Sequence, residues 1–527
     1  MEEQMQEIPQ QVQAANGPVG LETDDPLVFR AKIAPDHQAL IEAATGRELS
    51  YGELDELVSR CAGFLAKAFP DREDHPRIAY LGRNSIAEVV ACLGCQRRGA
   101  IFIPLNWRLS TTELQQILAD CRPHMLIVDQ EFSVIAGEIG PTLPLVLTVV
   151  GAEGFLSRLK TSDRYAGPQI PADTPCIILY TSGTTGTPKG VIITRRNAFS
   201  SSINFALVGE VTARSVTLCD LPFFHTIGII AIARTTLLMG GRLVISDRFQ
   251  PERTLSLLAD PALGVTHYFA VPQMASALRV SPHWNPAALK ALRAIFIGGA
   301  PLSPALIEGF LQDDIALVNG YGMSEAGTVL HMPLDKDMIA AHRGSVGFAA
   351  PLTDVRLVSP DGTDVTDGEV GEIWLQGPAV TPGYWNKPKE TAAAFVDGWY
   401  RTGDLGRRDE TGLIYIPDRL KDMYISGGEN VFPAEVEAVI ATHPAVRDVA
   451  VIGIPDARWG ESGVAFVVPA SPETIAEDIL SHCAARLAAF KRPLRVVFVE
   501  TIPRTASGKA QKHILRQSHV DADPRPL

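Results

Sequence analysis

The amino-acid sequence predicts an α/β protein, with a large multi-layer α/β N-terminal domain and a small mobile α+β C-terminal domain. One observation is the length of 527 residues, which is more than one hydrophobic core usually supports. Hydrophobic residues make up 46% and charged residues 20%, an ordinary globular composition. The other observation is that helical and strand patterns alternate along the first third, which favours layers with largely parallel sheets.

Three helix starts mark the first third. Ser50, Ser85 and Ser110 each precede a glutamate by three residues, which is the pattern of a capping box. Apolar segments without helical periodicity lie between the resulting helices. The segments predicted as strands are 77–81, 100–105 and 124–129.

The chain changes character near residue 420. Short strands separated by glycine-rich turns precede this point, and a helix–strand–strand–helix unit of about a hundred residues follows it. We expect residues 1–20 to form a disordered tail, 21–420 the large domain and 421–527 the small one. The segments involved are strands 372–376, 399–402, 413–416, 449–454 and 464–468, and helices 433–441 and 472–489.

Charge and cysteine usage exclude several classes of protein. The net charge of −13 disfavours a nucleic-acid partner, and no apolar run reaches the roughly 18 residues that a membrane span needs. The N-terminal residues show no signal-peptide pattern, so we expect a reduced, cytoplasmic protein. Cys92 and Cys95 form a CxxC, but they lie in an amphipathic pattern without a second Cys/His pair. This favours a structural role over a redox or metal site.

A loop rich in glycine and hydroxyl groups joins two apolar strands, 176–180 and 191–194. Glycines allow backbone N–H groups to approach an anion, hydroxyls donate to phosphate oxygens, and a lysine adds charge. The loop is not a Walker A motif, which ends in Gly-Lys-Ser/Thr and opens a helix. The alternative is a flexible turn without a ligand. The residues predicted to bind phosphate are Thr181, Ser182, Gly183, Thr184, Thr185 and Lys189.

This loop, ending in Pro-Lys-Gly, resembles that of the adenylate-forming (AMP-binding) superfamily. The superfamily includes acyl-CoA synthetases, adenylation domains of peptide synthetases and firefly luciferase, and this chain looks most like an acyl-CoA synthetase or fatty-acid–CoA ligase. Ser324 replaces the more usual threonine, and Asp418 the more usual glycine, which are mild departures. Further matching motifs, in the family's order, are 298–301 (GGAP), 319–325 (NGYGMSE), 399–405 (WYRTGDL), 418–437 and 503–509 (PRTASGK).

The resemblance implies a nucleotide site. A tyrosine ring offers a face for a base, a carboxylate accepts hydrogen bonds from ribose hydroxyls, and a second carboxylate binds Mg²⁺. Glu325 and Thr184 are the implied metal ligands. Taken singly, the tyrosine could be a packed aromatic and the aspartate a turn residue. The implied adenine- and ribose-binding residues are Gly299, Ala300, Tyr321, Asp404 and Arg419.

The resemblance also assigns roles in the small domain. Lys509 matches the catalytic lysine, whose ammonium offsets charge between the attacking carboxylate and the α-phosphate. The segment 491–516 is rich in basic residues and has one acid, Glu500, although a solvated basic tail is the alternative. Lys421 matches the hinge. Gly427 and Gly428 match the glycines that line the CoA tunnel.

The implied acyl pocket is mostly apolar. By resemblance His225 borders the acyl carboxylate and counts as catalytic with Lys509 and Glu325, although a lone histidine in an apolar stretch is often a core residue. Without a lysine or arginine to pair a second carboxylate, the pocket favours a hydrophobic monocarboxylic acid, whether fatty, aryl or polycyclic. The predicted pocket residues are Phe223, Phe224, His225, Phe269 and Met323.

The implied reaction converts ATP, the acid and CoA into acyl-CoA, AMP and diphosphate through an acyl-adenylate, with Mg²⁺ as cofactor. A ligase that loads an acyl-carrier protein shares every motif, and a luciferase-type oxygenase also needs the adenylate. A catalytically dead nucleotide-binding protein is a third alternative, which the intact set of matched polar residues disfavours. A homodimer is the default expectation for the assembly.

Overall fold

A computed structural model describes residues 25–70, 75–139, 147–150, 152–181, 188–300, 302–417, 422–426, 429–456, 459–505 and 508–522. The chain forms a large α/β N-terminal domain and a small C-terminal domain, as the sequence predicts. The expected tail 1–20 lies outside the described residues, and the boundary near residue 420 stays a prediction.

The first sheet contains the strands expected in the first third. Neighbouring strands are parallel except the last, which runs antiparallel to its neighbour and closes a hairpin. The strand predicted over 77–81 is confirmed to the residue. In spatial order the strands are Leu147–Val150, Met125–Val128, Arg77–Leu81, Ile101–Leu105, Pro175–Thr181 and Lys189–Thr194.

The second sheet is larger and mixed. Its centre is parallel, whereas the strands after residue 317 are antiparallel. Phe395–Val396 pairs with the edge of Trp399–Arg408. In spatial order the other strands are Asp354–Val358, Val370–Gln376, Trp399–Arg408, Ile414–Tyr415, Ser345–Ala349, Gly327–His331, Leu317–Met323, Ala294–Ile297, His267–Ala270, Val216–Cys219, Arg242–Ile245, Gln38–Glu42 and Arg47–Ser50.

The third sheet belongs to the small domain and has its own apolar core around Tyr424, Val451 and Ile479. Its long central hairpin extends the two predicted strands at both ends. The helix predicted over 472–489 is shorter than expected, because only Ala476–Ala484 is α-helical. In spatial order the strands are Glu429–Val431, Tyr424–Ser426, Gly460–Pro469 and Val446–Asp456, with Arg495–Phe498 parallel to Gly460–Pro469.

Helices cover the sheets. None in the described ranges combines the length and apolar character needed to cross a bilayer. The α-helices are Pro26–Ile33, Tyr51–Ala68, Ile86–Arg98, Thr111–Cys121, Ser133–Ile139, Ala152–Lys160, Arg195–Val208, Thr235–Met239, Pro251–Ala259, Pro272–Arg279, Pro304–Gln312, Lys336–Ala341, Pro388–Ala394, Pro433–Ala441, Ala476–Ala484 and Lys512–Ala522, and Ile227–Arg234 is a π-helix.

Two of the three predicted capping boxes form completely, at Ser50 and Ser110. At Ser85 only one half forms: the Glu88 backbone N–H donates to Ser85 Oγ. The Glu88 side chain is buried instead, with 3% of its surface exposed. The Glu88 side chain therefore packs inside the protein instead of completing the cap. Burial raises the pKa of its carboxyl well above the usual range. Cys92 and Cys95 are buried in the same helix.

Candidate active site

The site begins where parallel strands of the second sheet end. Strands Val216–Cys219, His267–Ala270 and Ala294–Ile297 run parallel to each other, so their carboxyl ends lie at one edge of the sheet. Ligands of open α/β sheets bind at this edge. The segments that follow these strands there hold His225 and the Gly298–Gly299 turn.

Glu325 lies in the turn of the hairpin between Leu317–Met323 and Gly327–His331. Tyr384 Oη donates a hydrogen bond of 3.1 Å to Glu325 Oε1, and it also contacts Tyr400 Oη at 3.1 Å. Burial raises the pKa of Glu325, and the neighbouring charge of Asp404 raises it further. The Tyr384 hydroxyl and the Lys509 ammonium act in the opposite direction, because both favour the ionised carboxylate.

Lys189 lies at the end of the predicted phosphate loop, opposite Thr181 in the hairpin of the first sheet. Its ammonium lies 5.3 Å from the centroid of the Tyr384 ring, a cation–π contact. Tyr384 therefore joins the lysine of one motif to the glutamate of another. The sequence prediction missed Tyr384, because it stands outside every matched motif.

Tyr321 and Asp404 come from strands far apart in sequence but lie side by side. Tyr321 Oη donates a hydrogen bond of 2.6 Å to Asp404 Oδ2. Asp404 is buried, with 6% of its surface exposed, and its backbone N–H donates to Thr402 Oγ1. The structure thus brings together two residues that the resemblance assigned to the nucleoside.

Lys509 approaches from the small domain. Its loop is closed by backbone hydrogen bonds with Thr505, and Arg504 Nη1 donates to the Gly508 carbonyl at 2.7 Å. Gly508 has a left-handed φ of 82°, and a Cβ there would lie 2.7 Å from Gln273 Oε1 of the large domain. The ammonium lies close enough to lower the pKa values of both Glu325 and His225.

His225 packs on Phe224 and lies near two cationic side chains, Arg108 and Lys509. Burial, with Arg108 and Lys509 nearby, lowers its pKa to about 4, so the ring is neutral at pH 7. Within the described ranges, His225 Nε2 is buried without a hydrogen-bond partner. The Phe224 ring lies 4.7 Å from the His225 ring, between centroids, and holds it in place.

An apolar cavity opens beside Gly298, Gly299 and Tyr321. The remaining lining residues are Phe205, Thr226, Ile227, Ala231, Phe269, Gly320, Gly322, Gly327, Thr328, Leu330 and His331. A smaller cavity lies next to Glu325 and Thr226.

The wall of the larger cavity includes one of the predicted aromatic pocket residues, Phe269. Phe223 is fully buried in the core, and Phe224 packs on Trp107 and His225. Met323 Sδ lies 3.8 Å from Tyr321 Oη. None of these three side chains is among the residues that line the cavity, although the sequence placed them in the acyl pocket.

The π-helix Ile227–Arg234 supplies Ile227 and Ala231 to the cavity. Such i→i+5 turns are rare and concentrate at functional sites. Helical periodicity does not distinguish a π-turn from an α-turn over eight residues. The sequence prediction therefore missed this element, as it missed Phe205 and His331 from distant elements.

Several predicted residues fall outside the described ranges. These are Ser182, Gly183, Thr184 and Thr185 of the phosphate loop, Arg419, the hinge residue Lys421, and Gly427 and Gly428 of the tunnel. Their roles stay predictions.

The described residues fit a magnesium ion at Glu325. Mg²⁺ prefers oxygen ligands and commonly takes one or two carboxylates together with phosphate oxygens and water. The Glu325 carboxylate lies near a second negative charge, Asp404, and its pKa is raised by burial. A cation bound to Glu325 would offset both the negative charge of Asp404 and the cost of burying an ionised carboxylate. Glu325 would hold the ion, which would neutralise charge on the phosphates.

Comparison with family models gives two matches. Residues 29–385 match the model for AMP-binding enzymes, and residues 435–509 match the model for the C-terminal domain of AMP-binding enzymes. The two matches leave out residues 386–434, which contain the predicted hinge. Together they cover most of the large domain and the loop of Lys509.

Two curated relatives and one solved structure are similar to this chain over nearly its whole length. The chain is 38% identical to feruloyl-CoA synthase from Amycolatopsis sp over 93% of this chain and 97% of that protein. It is 35% identical to the long-chain-fatty-acid–CoA ligase FadD13 from Mycobacterium tuberculosis over 94% and 98%. The ATP-bound crystal structure of MatB from Rhodopseudomonas palustris superimposes with a TM-score of 0.86 at 31% identity, covering 94% of this chain and 99% of that one.

Proposed function

The chain belongs to the AMP-binding enzymes, in the ATP-dependent, AMP-forming acid–CoA ligase family, and we propose that it joins a hydrophobic monocarboxylic acid to CoA. The observation that carries the proposal is the convergence of Lys509, Glu325 and His225 next to an apolar cavity, which is lined by Thr226, the neighbour of His225 in the chain. The carboxylate of the acid would meet this cluster while its hydrophobic part fills the cavity.

In the first half-reaction, a carboxylate oxygen of the acid attacks the α-phosphorus of ATP. A P–O bond forms to the acid, the bond to the β-phosphate oxygen breaks, and diphosphate leaves with the electron pair. The protein positions the reactants and offsets negative charge, as is usual for phosphoryl-group chemistry. Lys509 stabilises the charge between carboxylate and α-phosphate, Lys189 contacts the outer phosphates, and Asp404 accepts from the ribose.

In the second half-reaction, the CoA thiolate attacks the acyl carbonyl and AMP leaves with the bonding electrons. The large domain supplies the cavity and Lys189, and the small domain supplies Lys509, so the first step requires the two to be closed. We propose a rotation about Lys421 that withdraws Lys509 and brings Gly427 and Gly428 to the adenylate. Lys509 would then act only in the first half-reaction.

The apolar wall supports a substrate with one carboxylate. The side chains lining the larger cavity, all within the described ranges, include no arginine or lysine. A second carboxylate buried there would be unpaired, which is costly. Gly298, Gly320 and Gly322 place no side chain in the cavity wall, which leaves room for a planar group, so aryl acids fit at least as well as alkyl chains.

The test is diphosphate release by the purified protein with ATP, Mg²⁺ and a panel of acids, each with and without CoA. The panel contains fatty acids of increasing length, arylpropenoic acids, benzoic acids and dicarboxylic acids. We expect catalytic turnover that depends on both a hydrophobic monocarboxylic acid and CoA, with acyl-CoA and AMP formed in equal amounts.

Three other outcomes would overturn the proposal in part or in full. One equivalent of diphosphate per enzyme, not increased by CoA, would keep adenylation and remove CoA as acceptor. A carrier protein would then be tested in its place. Oxygen consumption with the adenylate would support a luciferase-type oxygenase. No diphosphate with any acid would refute the ligase itself.

A further inference from the structure

The His225 loop, residues 221–226, joins a central strand of the second sheet to the π-helix. Its last residue, Thr226, lines both cavities of the site. The backbone of the loop forms a turn in which the His225 N–H donates to the Pro222 carbonyl at 3.1 Å. The position of the His225 ring therefore depends on the contacts that hold this loop against the rest of the large domain.

Asn84 holds the His225 loop from the other sheet. It lies in the turn after strand Arg77–Leu81 of the first sheet, and 5% of its surface is exposed. Asn84 Nδ2 donates to the Leu221 carbonyl at 2.8 Å, and the Phe223 N–H donates to Asn84 Oδ1 at 2.9 Å. Nδ2 also donates to the Ser246 carbonyl at 3.2 Å. One amide therefore satisfies three backbone groups that lie far from it in sequence.

This set of hydrogen bonds requires an amide side chain. The Phe223 N–H can only donate, and the Leu221 and Ser246 carbonyls can only accept, so one side chain must supply an acceptor and two donors. Buried backbone groups are almost always paired. Without the amide, the loop would therefore move until its backbone groups find other partners.

The turn that bears Asn84 is itself fixed on both sides. The Arg83 N–H donates to Asp129 Oδ2 at 2.9 Å. The Ile86 N–H donates to Glu42 Oε1 at 3.0 Å. The Asn84 amide therefore has a defined place from which it holds the loop, and it does not simply follow the movements of the loop.

Aromatic rings add a second, less directional contact between the first sheet and the loop. The centroid of the Trp107 ring lies 6.5 Å from that of Phe224, and the Phe224 ring lies 4.7 Å from the His225 ring. Ring contacts restrict the side chains, whereas hydrogen bonds have preferred distances and angles. The bonds to Asn84 thus fix the backbone from which the His225 side chain extends.

We propose that Asn84 is a positioning residue for His225, and that its hydrogen bonds to residues 221–223 place the imidazole beside the carboxylate of the acid for adenylation. This inference rests on the proposed function, in which His225 borders that carboxylate. Asn84 acts through His225 and not by contact with the acid. Precise placement matters because a displacement of about 1 Å at a reacting centre can lower a rate by roughly 10²-fold.

The test is a double-mutant cycle on the first half-reaction. The burst of acyl-adenylate is followed with ATP, Mg²⁺ and an acid in excess over the enzyme, without CoA. The rate constant of the burst does not depend on the folded fraction, which changes only the amplitude. We expect Asn84→Ala to lower this rate constant, relative to the acid concentration for half-maximal rate, by about 10-fold or more. In the His225→Ala background the same substitution should change it by less than about twofold.

Two further variants separate hydrogen bonding from shape and from stability. Asn84→Asp keeps the shape but presents an oxygen to two carbonyl oxygens, so we expect it to be at least as slow as Asn84→Ala. Tyr51→Phe is the matched control. Tyr51 is fully buried, and its hydroxyl donates to the Leu237 and Gly241 carbonyls at 3.2 and 2.7 Å. Its substitution should have the same effect with and without His225.

A second readout does not use activity. The Phe223 amide donates to Asn84 Oδ1 and should exchange slowly with deuterium in the wild type. We expect faster exchange at this amide in Asn84→Ala, and unchanged exchange in Tyr51→Phe. The measurement tests whether Asn84 holds the loop, and the kinetic cycle tests whether the held loop positions His225.

An equal loss of rate with and without His225 overturns the inference, as does no loss in Asn84→Ala or unchanged exchange at Phe223. If Asn84→Ala does not fold, Asn84→Ser, which keeps one donor, is measured in the same cycle. A wild-type enzyme that releases no diphosphate with any acid refutes the proposed function instead.

Discussion

The two ends of the active-site cleft are built in different ways. The charged end gathers Lys189, Glu325, Asp404 and Lys509, each from a short motif rich in glycine or hydroxyl groups. The aromatic end gathers Phe205, Phe269 and His331 from a helix and two strands that carry no such motif. In the proposed function, the charged end performs chemistry that every acid substrate needs, whereas the aromatic end contacts the part that differs between acids.

This difference implies two kinds of mutational effect. Substitutions at the charged end should lower the rate for all acids, because they remove stabilisation that exists only in the transition state. Substitutions at the aromatic end should change the ranking of acids more than the maximal rate. The expected effects below run from the largest to the smallest.

Lys509→Ala should lower the rate of adenylation by roughly 10²-fold or more, the order seen when one key electrostatic donor is removed. Thioester formation from preformed acyl-adenylate should be spared. Single-turnover measurement of each half-reaction checks this, with the exposed Lys290→Ala as control. Equal loss in both half-reactions would contradict the two-conformation assignment.

Glu325→Gln should reduce adenylation by roughly 10- to 100-fold and raise the Mg²⁺ concentration needed for half-maximal rate, because a neutral amide binds the cation more weakly. A Mg²⁺ titration of diphosphate release measures both effects. Glu410→Gln, at an exposed turn, is the control. An unchanged Mg²⁺ requirement would show that the ion is held elsewhere.

Tyr384→Phe should move the acidic limb of the kcat/KM profile to higher pH. The Tyr384 hydroxyl stabilises the ionised form of Glu325, so its removal raises an already elevated pKa, and protonation as the pH falls begins sooner. We expect a shift of up to about one pH unit, or roughly 1.4 kcal/mol. His225, with its pKa near 4, should not titrate between pH 5.5 and 8. If the acidic limb does not move, Glu325 is not the group whose protonation lowers kcat/KM.

Gly298→Ala should affect only the binding of the acyl group of the substrate. The new methyl group would lie 3.3 Å from Phe269 and 3.8 Å from Ile227, inside the cavity wall. We expect KM for ring-bearing acids to rise several-fold, with KM for ATP and the maximal rate nearly unchanged. Steady-state kinetics with one aryl and one short alkyl acid make the comparison. A uniform loss of rate with both acids would instead indicate damage to the charged end.

Local patterns were sufficient for much of the fold. The strand over 77–81 is confirmed to the residue, and the capping boxes at Ser50 and Ser110 form as predicted. Hydrophobic periodicity and helix caps act over a few residues, so they can be read from the chain directly. At Ser85 the capping-box prediction was wrong for one of the two hydrogen bonds. Tertiary packing buries the Glu88 side chain, so only the backbone N–H of Glu88 bonds to Ser85.

The sequence by itself determined the fold class and the family. It also predicts which charged groups form the site, because phosphate and carboxylate chemistry needs particular residue types in short arrangements. Only the tertiary structure decided which side chains line the cavity and which contact the charged groups. Tyr384 reaches Glu325, and Phe205 and His331 reach one cavity, across long sequence separations. Such contacts leave no local period in the chain, and an ordinary core phenylalanine looks the same in sequence as one that lines a cavity.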